Sequence, residues 1–337
     1  MSVLDDLQRR AAAQPAHIVL SEGHDPRIVA AAIRAVTAGL GTITLVGDTN
    51  AVTAALHEAG GQPSDHLRVA DPVADPRKAE IAHGFFEHRQ HKGVTLEKAE
   101  TLTENPLVFA AMLVRMGYAD GTVGGAVATT SDTVRAALQV IGKASDAALV
   151  SSFFLMVLPD NHPSGRRAMI FSDSGLVIDP NADDLAAIAV QSAASCQALM
   201  AETPKVALLS FSTKGSARHA NVTKVTDATT ILAEQHPDLD ADGELQFDAA
   251  FVPDVGGSKA AGSSVAGHAN VMIFPNLDAG NIGYKIAQRI GGCTAIGPIL
   301  QGLAKPANDL SRGCTADDVL HMIAVTALQS AARQETT

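Results

Sequence analysis

The segment His17-Ile-Val-Leu-Ser-Glu-Gly-His-Asp-Pro26 contains a short apolar run, a polar turn and a helix start. His17–Leu20 predicts a buried strand, and Asp25-Pro26 predicts the first turn of a helix, because Pro fits the first helical position. Short apolar runs and longer helical patterns go on alternating along the chain, as at Thr42–Val46 and the helical pattern after it. This alternation is typical of an α/β fold with a mainly parallel sheet.

The second part of the chain predicts a different arrangement of strands. Ser151–Leu158 and Arg167–Phe171 are apolar and separated by a polar loop, which predicts an antiparallel pair, and Phe251-Val252 predicts a further short strand. The closing helix at Ala316–Ala332 should return to the first domain, since it needs a partner to bury its apolar face. We therefore expect two domains, residues 1–145 plus 299–337 and residues 146–298.

Composition limits the classes of function. The chain has 337 residues and a net charge of −11, which argues against a general nucleic-acid binder. An anionic substrate therefore requires a local cluster of Arg and Lys. The three cysteines have no disulfide or metal spacing, and no apolar run resembles a signal peptide or membrane span. These features predict a soluble cytoplasmic protein without membrane contact, and the 12 His show no spacing that predicts a metal site.

Asp278–Gly313 is the stretch in which chemistry is most concentrated. Its glycines suggest tight turns or backbone lying close to another group, and its amides, hydroxyls and cations include Asn281, Lys285, Ser311 and Arg312. Each of these polar side chains would need a hydrogen-bond partner if it were buried. The stretch therefore predicts a solvated cleft that binds a polar, anionic ligand.

Other candidates have structural alternatives. The loop containing Ser212, Thr213 and Lys214 follows a predicted strand and precedes a helix, so it could bind an anion or simply cap the helix. Arg135 lies in the predicted first turn of a helix, where a cation needs a nearby anion, although a local Asp would suffice. Arg89 suits the end of its helix without any function.

Several blocks resemble phosphate acetyltransferases. They are Leu209-Ser-Phe-Ser-Thr-Lys-Gly-Ser-Ala217, Asp242-Gly-Glu-Leu-Gln-Phe-Asp-Ala-Ala250, Val265-Ala-Gly-His-Ala-Asn-Val271, Asn281-Ile-Gly-Tyr-Lys-Ile-Ala-Gln-Arg289 and Pro306-Ala-Asn-Asp-Leu-Ser-Arg-Gly-Cys314. The resemblance runs from about His17 to the end of the chain. One block departs from the family pattern, with Ala261 where Pro is usual. The resemblance implies two α/β/α domains with a cleft between them, a fold similar to isocitrate and isopropylmalate dehydrogenases, and a homodimer.

The resemblance also implies the reaction and its residues. Acetyl would move reversibly between acetyl phosphate and coenzyme A, which is a substrate, with phosphate as the other product and no tightly bound cofactor. Ser311 and Arg312 would contact the phosphate and the reacting carbonyl, and Asp318 would deprotonate the thiol. Asp318 also matches a capping box with Thr315, which is its structural alternative. The substrate-binding residues would be Arg27, Arg89, Arg135, Ser212, Thr213, Lys214, Asn281 and Lys285.

Three alternatives remain open at this point. Phosphate butyryltransferase would share the mechanism and differ in the depth of its acyl pocket. A nicotinamide-dependent hydroxyacid dehydrogenase on the same fold is disfavoured, because no cluster of carboxylates for a divalent metal is evident and the GxGxxG fingerprint is missing after the first strand. A non-catalytic acyl-CoA sensor would not need the Ser311, Arg312 and Asp318 set.

Overall fold

A computed structural model describes residues 2–334 and divides them into two compact units. The first unit joins the described chain up to Ser145 with the segment from Leu303 onward, and the second is Asp146–Gly302. The elements of the first unit are α1 (Val3–Ala13), β1 (Ala16–Leu20), α2 (Pro26–Thr37), β2 (Gly41–Val46), α3 (Thr49–Glu58), β3 (Leu67–Ala70), α4 (Lys78–Arg89), a 3-10 turn (Gln90–Lys92), α5 (Leu96–Thr103), α6 (Pro106–Arg115), β4 (Gly121–Gly124), α7 (Thr130–Val140), β11 (Ala307–Asp309) and α13 (Ala316–Gln334).

The elements of the second unit follow α7 in the chain. They are β5 (Ser151–Val157), β6 (Ala168–Ser172), α8 (Ala182–Met200), β7 (Val206–Leu209), α9 (Ala220–Gln235), β8 (Ala241–Leu245), α10 (Phe247–Phe251), α11 (Pro253–Lys259), β9 (Val271–Ile273), α12 (Leu277–Arg289) and β10 (Thr294–Gln301).

The first unit is built on a parallel five-stranded sheet with the order β11-β4-β1-β2-β3. The chain moves outward from β1 through β2 to β3 on one side, and β4 then pairs with the other edge of β1. This reversal between β1 and β4 is a topological switch point, where loops after the strands separate and leave room for ligands. The carboxyl ends of β1, β4 and β11 are therefore the place to look for a site.

Helices cover this sheet and bury its central strands. In β1, four of five residues are buried, as expected for a parallel strand packed on both faces. The segment that predicted the fold forms β1 and α2, with the Asp25 carboxylate accepting a hydrogen bond from the Arg27 amide at the helix start. The closing helix α13 packs on α1, α2, β1 and β4.

The second unit contains a mixed six-stranded sheet with the order β10-β5-β6-β9-β7-β8. β5 pairs antiparallel with both β6 and β10, while β6, β9, β7 and β8 run parallel. The predicted antiparallel pair is thus confirmed. The α/β class is confirmed as well, and the parallel strands of both units agree with the sequence pattern.

One local prediction was wrong. Phe251-Val252 is not a strand, because Phe251 ends α10 and Pro253 starts α11 directly after Val252.

The glycines after Asp278 were expected either in tight turns or where backbone lies close to another group. Gly280 lies inside α12, and a Cβ there would lie 2.3 Å from the carbonyl oxygen of Asp173, so this glycine permits close packing. Pro298, near which the sequence places a domain boundary, lies within β10.

Candidate active site

Three loops meet at the carboxyl edge of the first sheet. Ser311 and Arg312 follow β11, Arg135 lies in the helix after β4, and Arg27 lies in the helix after β1. Since β11, β4 and β1 are neighbours and parallel, their carboxyl ends share one edge. The fold therefore groups candidates that are up to 285 residues apart in sequence, as the contact between Arg27 and Arg312 illustrates.

Ser311 and Arg312 project from a short exposed loop. The Ser311 hydroxyl oxygen accepts from the Gly313 amide at 3.2 Å, and the Ser311 carbonyl accepts from the Cys314 amide at 2.9 Å. These bonds form a tight turn and leave the hydroxyl proton available. The Arg312 side chain is exposed and makes no hydrogen bond or ion pair within residues 2–334. A cation held in this way can accept an anionic ligand.

Asp318 lies in the first turn of α13 and caps it. Its Oδ2 atom accepts from the Thr315 amide at 2.8 Å and from the Thr315 hydroxyl at 2.9 Å, while the Asp318 amide donates to the Thr315 hydroxyl oxygen. The capping box is therefore present. Both bonds to the carboxylate use Oδ2, and Oδ1 has no partner in the described chain, so capping still leaves an oxygen that could accept a proton.

All five N–H donors of Arg27 are engaged by protein atoms. Its Nε and Nη2 donate to the two carboxylate oxygens of Asp25 at 3.0 and 2.8 Å, and Nη2 also donates to the Ala126 carbonyl at 2.8 Å. Nη1 donates to the Arg312 and Cys314 carbonyls at 2.7 and 3.1 Å. The hydrogen bonds from Arg27 hold the pKa of the Asp25 carboxyl below its usual value, so this ion pair is kept at neutral pH.

Arg135 and Arg89 differ in their surroundings. The helix α7 starts at Thr130 with Thr129 as its cap, so Arg135 lies in the second turn rather than the first. Its guanidinium donates to Asp132 at 2.7 Å and to the Ser131 hydroxyl at 3.3 Å, which is the local pairing that the sequence left open. Arg89 ends α4 and is half-buried, with no hydrogen bond or ion pair to any described residue.

The loop at Ser212–Ser216 uses its donors internally. The Glu244 carboxylate, which is buried, accepts from the Ser212 hydroxyl at 2.7 Å and from the Gly215 amide at 2.9 Å. Lys214 is paired with Asp242, and the Gln246 backbone N–H donates to the Thr213 hydroxyl oxygen at 2.9 Å. The next helix, α9, starts only at Ala220. A protein carboxylate thus already occupies this loop, which favours a structural role for Ser212, Thr213 and Lys214.

Asn281 and Lys285 lie one turn apart on α12 in the second unit. The Lys285 ammonium donates to the Asn281 side-chain oxygen at 2.7 Å, and the Asn281 amide donates to the Ser174 carbonyl at 3.2 Å. Lys285 is exposed, so it keeps donors for another ligand.

Sequence reasoning missed three buried polar groups at the same sheet edge. The Glu22 carboxylate accepts from the amides of Ala126, Val127 and Ala128 at 2.7, 3.0 and 2.6 Å, which fixes the loop after β4. The Ser21 hydroxyl and both carboxylate oxygens of Asp309 are buried without a hydrogen-bond partner in residues 2–334. The sequence signal that could have indicated these three residues is their position at or directly after the carboxyl end of a strand.

Asp309 is fully buried between the end of β11 and the backbone after β4. A Cβ at Gly125 would lie 2.2 Å from its Oδ1, so only glycine permits this packing, and Gly125 has a φ of +100°. The pKa of Asp309 is raised from 3.8 to about 6, and burial is the main cause; the Thr130 and Thr133 hydroxyls lower it and the negative charge of Glu22 raises it within that net value. The ionised form is therefore less favoured than in an exposed aspartate.

Replacing Asp309 with Asn should change how stability depends on pH. The folded pKa lies above the unfolded one, so wild-type protein loses stability as pH rises from about 4 through about 6, and the loss is complete above that window. We expect the unfolding free energy of Asp309→Asn to rise relative to wild type by about 3 kcal/mol across the window. Urea unfolding at several pH values measures this.

Asp65→Asn serves as the matched control for that experiment, because Asp65 is an exposed carboxylate in the same unit with no side-chain hydrogen bond to a described residue. The difference in unfolding free energy between Asp65→Asn and wild type gives the baseline for removing an exposed carboxylate. A difference for Asp309→Asn that stays constant with pH would contradict the raised pKa of Asp309.

Cys314 and the side chains that could bind a metal are the other candidates for chemistry in residues 2–334. Cys314 is buried, and burial raises the pKa of its thiol, which keeps it protonated and unreactive. No set of three or more His, Cys, Asp or Glu side chains in residues 2–334 is arranged to hold a metal ion.

None of the described helices is both long and apolar enough to cross a membrane.

Comparison with known proteins identifies the family. The sequence model of the Phosphate acetyl/butaryl transferase family matches residues 2–327. The chain belongs to this family. A phosphate acetyltransferase from Paracoccus denitrificans is 50% identical over 330 residues, which cover 98% of this chain and 100% of that relative. A second, from Thermoanaerobacterium thermosaccharolyticum, is 44% identical over 330 residues, which cover 98% of this chain and 100% of the relative.

Solved structures agree with this assignment. A phosphotransacetylase from Streptococcus pyogenes has a TM-score of 0.91 and 42% identity, covering 98% of both chains. The EutD phosphotransacetylase from Staphylococcus aureus has a TM-score of 0.88 and 42% identity, covering 97% of this chain and 98% of that one. The predicted resemblance and the predicted class of enzyme, an acyltransferase named phosphate acetyltransferase, are confirmed. Family membership also disfavours the dehydrogenase and the non-catalytic sensor.

Proposed function

We propose that this acyltransferase moves acetyl reversibly between acetyl phosphate and coenzyme A at the carboxyl edge of the first sheet. The single observation that supports this site best is the exposed Arg312 guanidinium, which has no hydrogen bond or ion pair in residues 2–334. The preceding residue of the same loop, Ser311, carries a hydroxyl. Acetyl phosphate carries both an anionic phosphate and a carbonyl, which a free cation and a hydroxyl donor from one loop suit.

The proposed reaction is a direct transfer. Asp318 Oδ1 accepts the proton of the coenzyme A thiol, and the resulting thiolate attacks the carbonyl carbon of acetyl phosphate. A C–S bond forms, the C–O bond to phosphate breaks, and phosphate leaves with that electron pair. The Ser311 hydroxyl donates to the carbonyl oxygen, and Arg312 neutralises charge that develops on that oxygen and on the departing phosphate.

Further cations would bind the rest of coenzyme A, whose phosphates are negatively charged. We propose Arg89 for this role because it lacks a protein partner in the described chain, and Arg135 because it can exchange its exposed contact with Asp132 for a phosphate. Asn281 and Lys285 are proposed as further polar contacts to coenzyme A. Coenzyme A is then a substrate, and no tightly bound cofactor enters the proposed chemistry.

Acetyl is proposed over butyryl as the transferred group. The family model spans both classes, whereas the curated relatives at 50% and 44% identity are named phosphate acetyltransferase. Chain length is decided by the acyl pocket, where one methylene changes binding by about 1–3 kcal/mol.

The protein is further proposed to act as a cytoplasmic homodimer. Its three cysteines are free thiols, as expected in a reducing compartment such as the cytoplasm.

The proposed dimer rests on exposed apolar side chains. Ile282 and Ile286 on α12 and Ile290 directly after it have exposed fractions of 57%, 53% and 83%. A second copy of the chain would bury these apolar side chains. Size-exclusion chromatography with light scattering measures the mass of the protein, and a monomer mass would contradict this proposal. If the proposal is right, Ile286→Asp should weaken the dimer.

Isotope exchange distinguishes direct transfer from a covalent acyl-enzyme. Labelled phosphate is mixed with acetyl phosphate and enzyme in the absence of coenzyme A. Direct transfer predicts no label in acetyl phosphate until coenzyme A is added, because no acyl group leaves phosphate without the thiol. Rapid exchange without coenzyme A would instead require an acyl-enzyme and would contradict the proposed step.

A further inference from the structure

We propose that Arg27 is a positioning residue that fixes the backbone around Arg312, and that it does not bind substrate. This inference rests on the proposed function for the role of Arg312. Sequence resemblance placed Arg27 among the substrate-binding residues, whereas its contacts in the folded chain point to the other role.

An arginine side chain has five N–H donors in a rigid planar fork. In Arg27 these five are matched by five protein oxygens, namely both carboxylate oxygens of Asp25 and the carbonyls of Ala126, Arg312 and Cys314. The distances lie between 2.7 and 3.1 Å. A phosphate could be bound only by breaking one of these bonds.

The five acceptors belong to the three loops that form the candidate site. Asp25 lies in the loop after β1 and caps α2, Ala126 lies in the loop after β4, and the other two carbonyls lie in the loop after β11. The Glu22 carboxylate, which lies after β1 as Asp25 does, accepts from the Ala126 amide, so the loop after β4 is itself fixed. Arg27 therefore connects the loop that contains Arg312 to the loops after β1 and β4.

The loop after β11 depends on this tie. Ser311, Arg312 and Gly313 are exposed, and Arg27 contacts the carbonyls on both sides of Gly313. Without Arg27, those carbonyls would face water and the turn would be free to move. A displacement of about 1 Å in a catalytic group can reduce turnover by about 10²-fold.

Kinetics of Arg27→Lys and Arg27→Gln test the proposal. We expect kcat to fall by about tenfold or more in both variants, with KM for coenzyme A and acetyl phosphate within about threefold of wild type. Lys keeps the positive charge but lacks the planar guanidinium that donates to five oxygens at once, so it should not rescue kcat. If Arg27 bound a phosphate, KM would rise instead and Lys would restore much of the affinity.

Arg34→Gln is the matched control. Arg34 lies on the same helix and also contacts the α13 region, through an ion pair with Asp317 at 2.7 Å, but both side chains are about half exposed or more. Exposed pairs of this kind contribute little. Its kcat and KM should therefore equal those of wild type, which separates loss of the Arg27 fork from loss of any cation on α2.

The reactivity of Cys314 gives a readout that needs no turnover. Cys314 is 7% exposed and its carbonyl accepts from Arg27, so loosening the loop should speed its alkylation by N-ethylmaleimide, measured by peptide mass spectrometry. Cys196, which is buried in the second unit, should react equally slowly in every variant. This assay stays informative if wild type shows no acetyl transfer, which would overturn the proposed function alone.

The outcomes are distinct. Lower kcat with unchanged KM and faster labelling of Cys314 in both Arg27 variants supports a positioning role. Raised KM at wild-type kcat, full activity of Arg27→Lys, or unchanged labelling of Cys314 overturns it. If Arg27→Gln fails to fold, Arg27→Lys still provides each of these measurements.

Discussion

Replacing Arg312 with Gln should lower kcat by about 10²–10³-fold, the loss seen when one preorganised donor to a developing oxyanion is removed. The guanidinium is exposed and makes no hydrogen bond or ion pair within residues 2–334, so its removal costs no protein contact. The thermal midpoint should therefore match that of wild type. Steady-state kinetics and a thermal melt on the same preparation measure both expectations.

Arg312→Lys refines that experiment. Lys keeps the charge as a point cation but loses the planar fork, so it should recover only part of the lost turnover. Near-normal kcat in Arg312→Gln would remove Arg312 from the mechanism. A large fall in the thermal midpoint would mean instead that the side chain supports the fold.

Replacing Asp318 with Asn should lower kcat by about 10²–10⁴-fold, the usual range for loss of a general base. The Asn side-chain oxygen can still accept from the Thr315 amide, so the cap is kept and the stability cost should stay below about 1 kcal/mol. For this variant, turnover reports the role of Asp318 as a base, and the free energy of unfolding reports its role in capping α13.

Asp317→Asn is the control for Asp318. This neighbouring carboxylate is also in the first turn of α13, but it pairs with Arg34 at the surface. Its loss should cost at most about 1 kcal/mol and leave kcat unchanged. Equal kcat values for the two Asn variants would contradict the role of Asp318 as base.

Local features of the fold could be read from the sequence. Asp25-Pro26 starts α2 as predicted, because the Asp caps the helix and Pro needs no amide partner there. The apolar run at Ser151–Val157 is a strand in an antiparallel pair, as its neighbouring loop indicated. In both cases the residues that predict the element lie within it or within a few residues of it.

Features that depend on strand order could not be read in this way. Glu22, Asp309 and Gly125 meet because β1, β4 and β11 are neighbours in the sheet, and no local pattern specifies that order. The five acceptors of Arg27 come from the same three loops, so sequence alone left it as one arginine among several. The internal contacts of Ser212–Ser216 likewise required Glu244, which lies in the strand beyond the next helix.

The most direct test of the account is the formation of acyl-CoA by the purified protein with acetyl phosphate or butyryl phosphate as donor. Consumption of the coenzyme A thiol is followed with a thiol reagent, and kcat/KM is compared for the two donors. We expect fast turnover with acetyl phosphate and a preference for it of about tenfold or more, since added methylenes must fit the acyl pocket. Preference for butyryl phosphate, or turnover with neither donor, would contradict the proposed function.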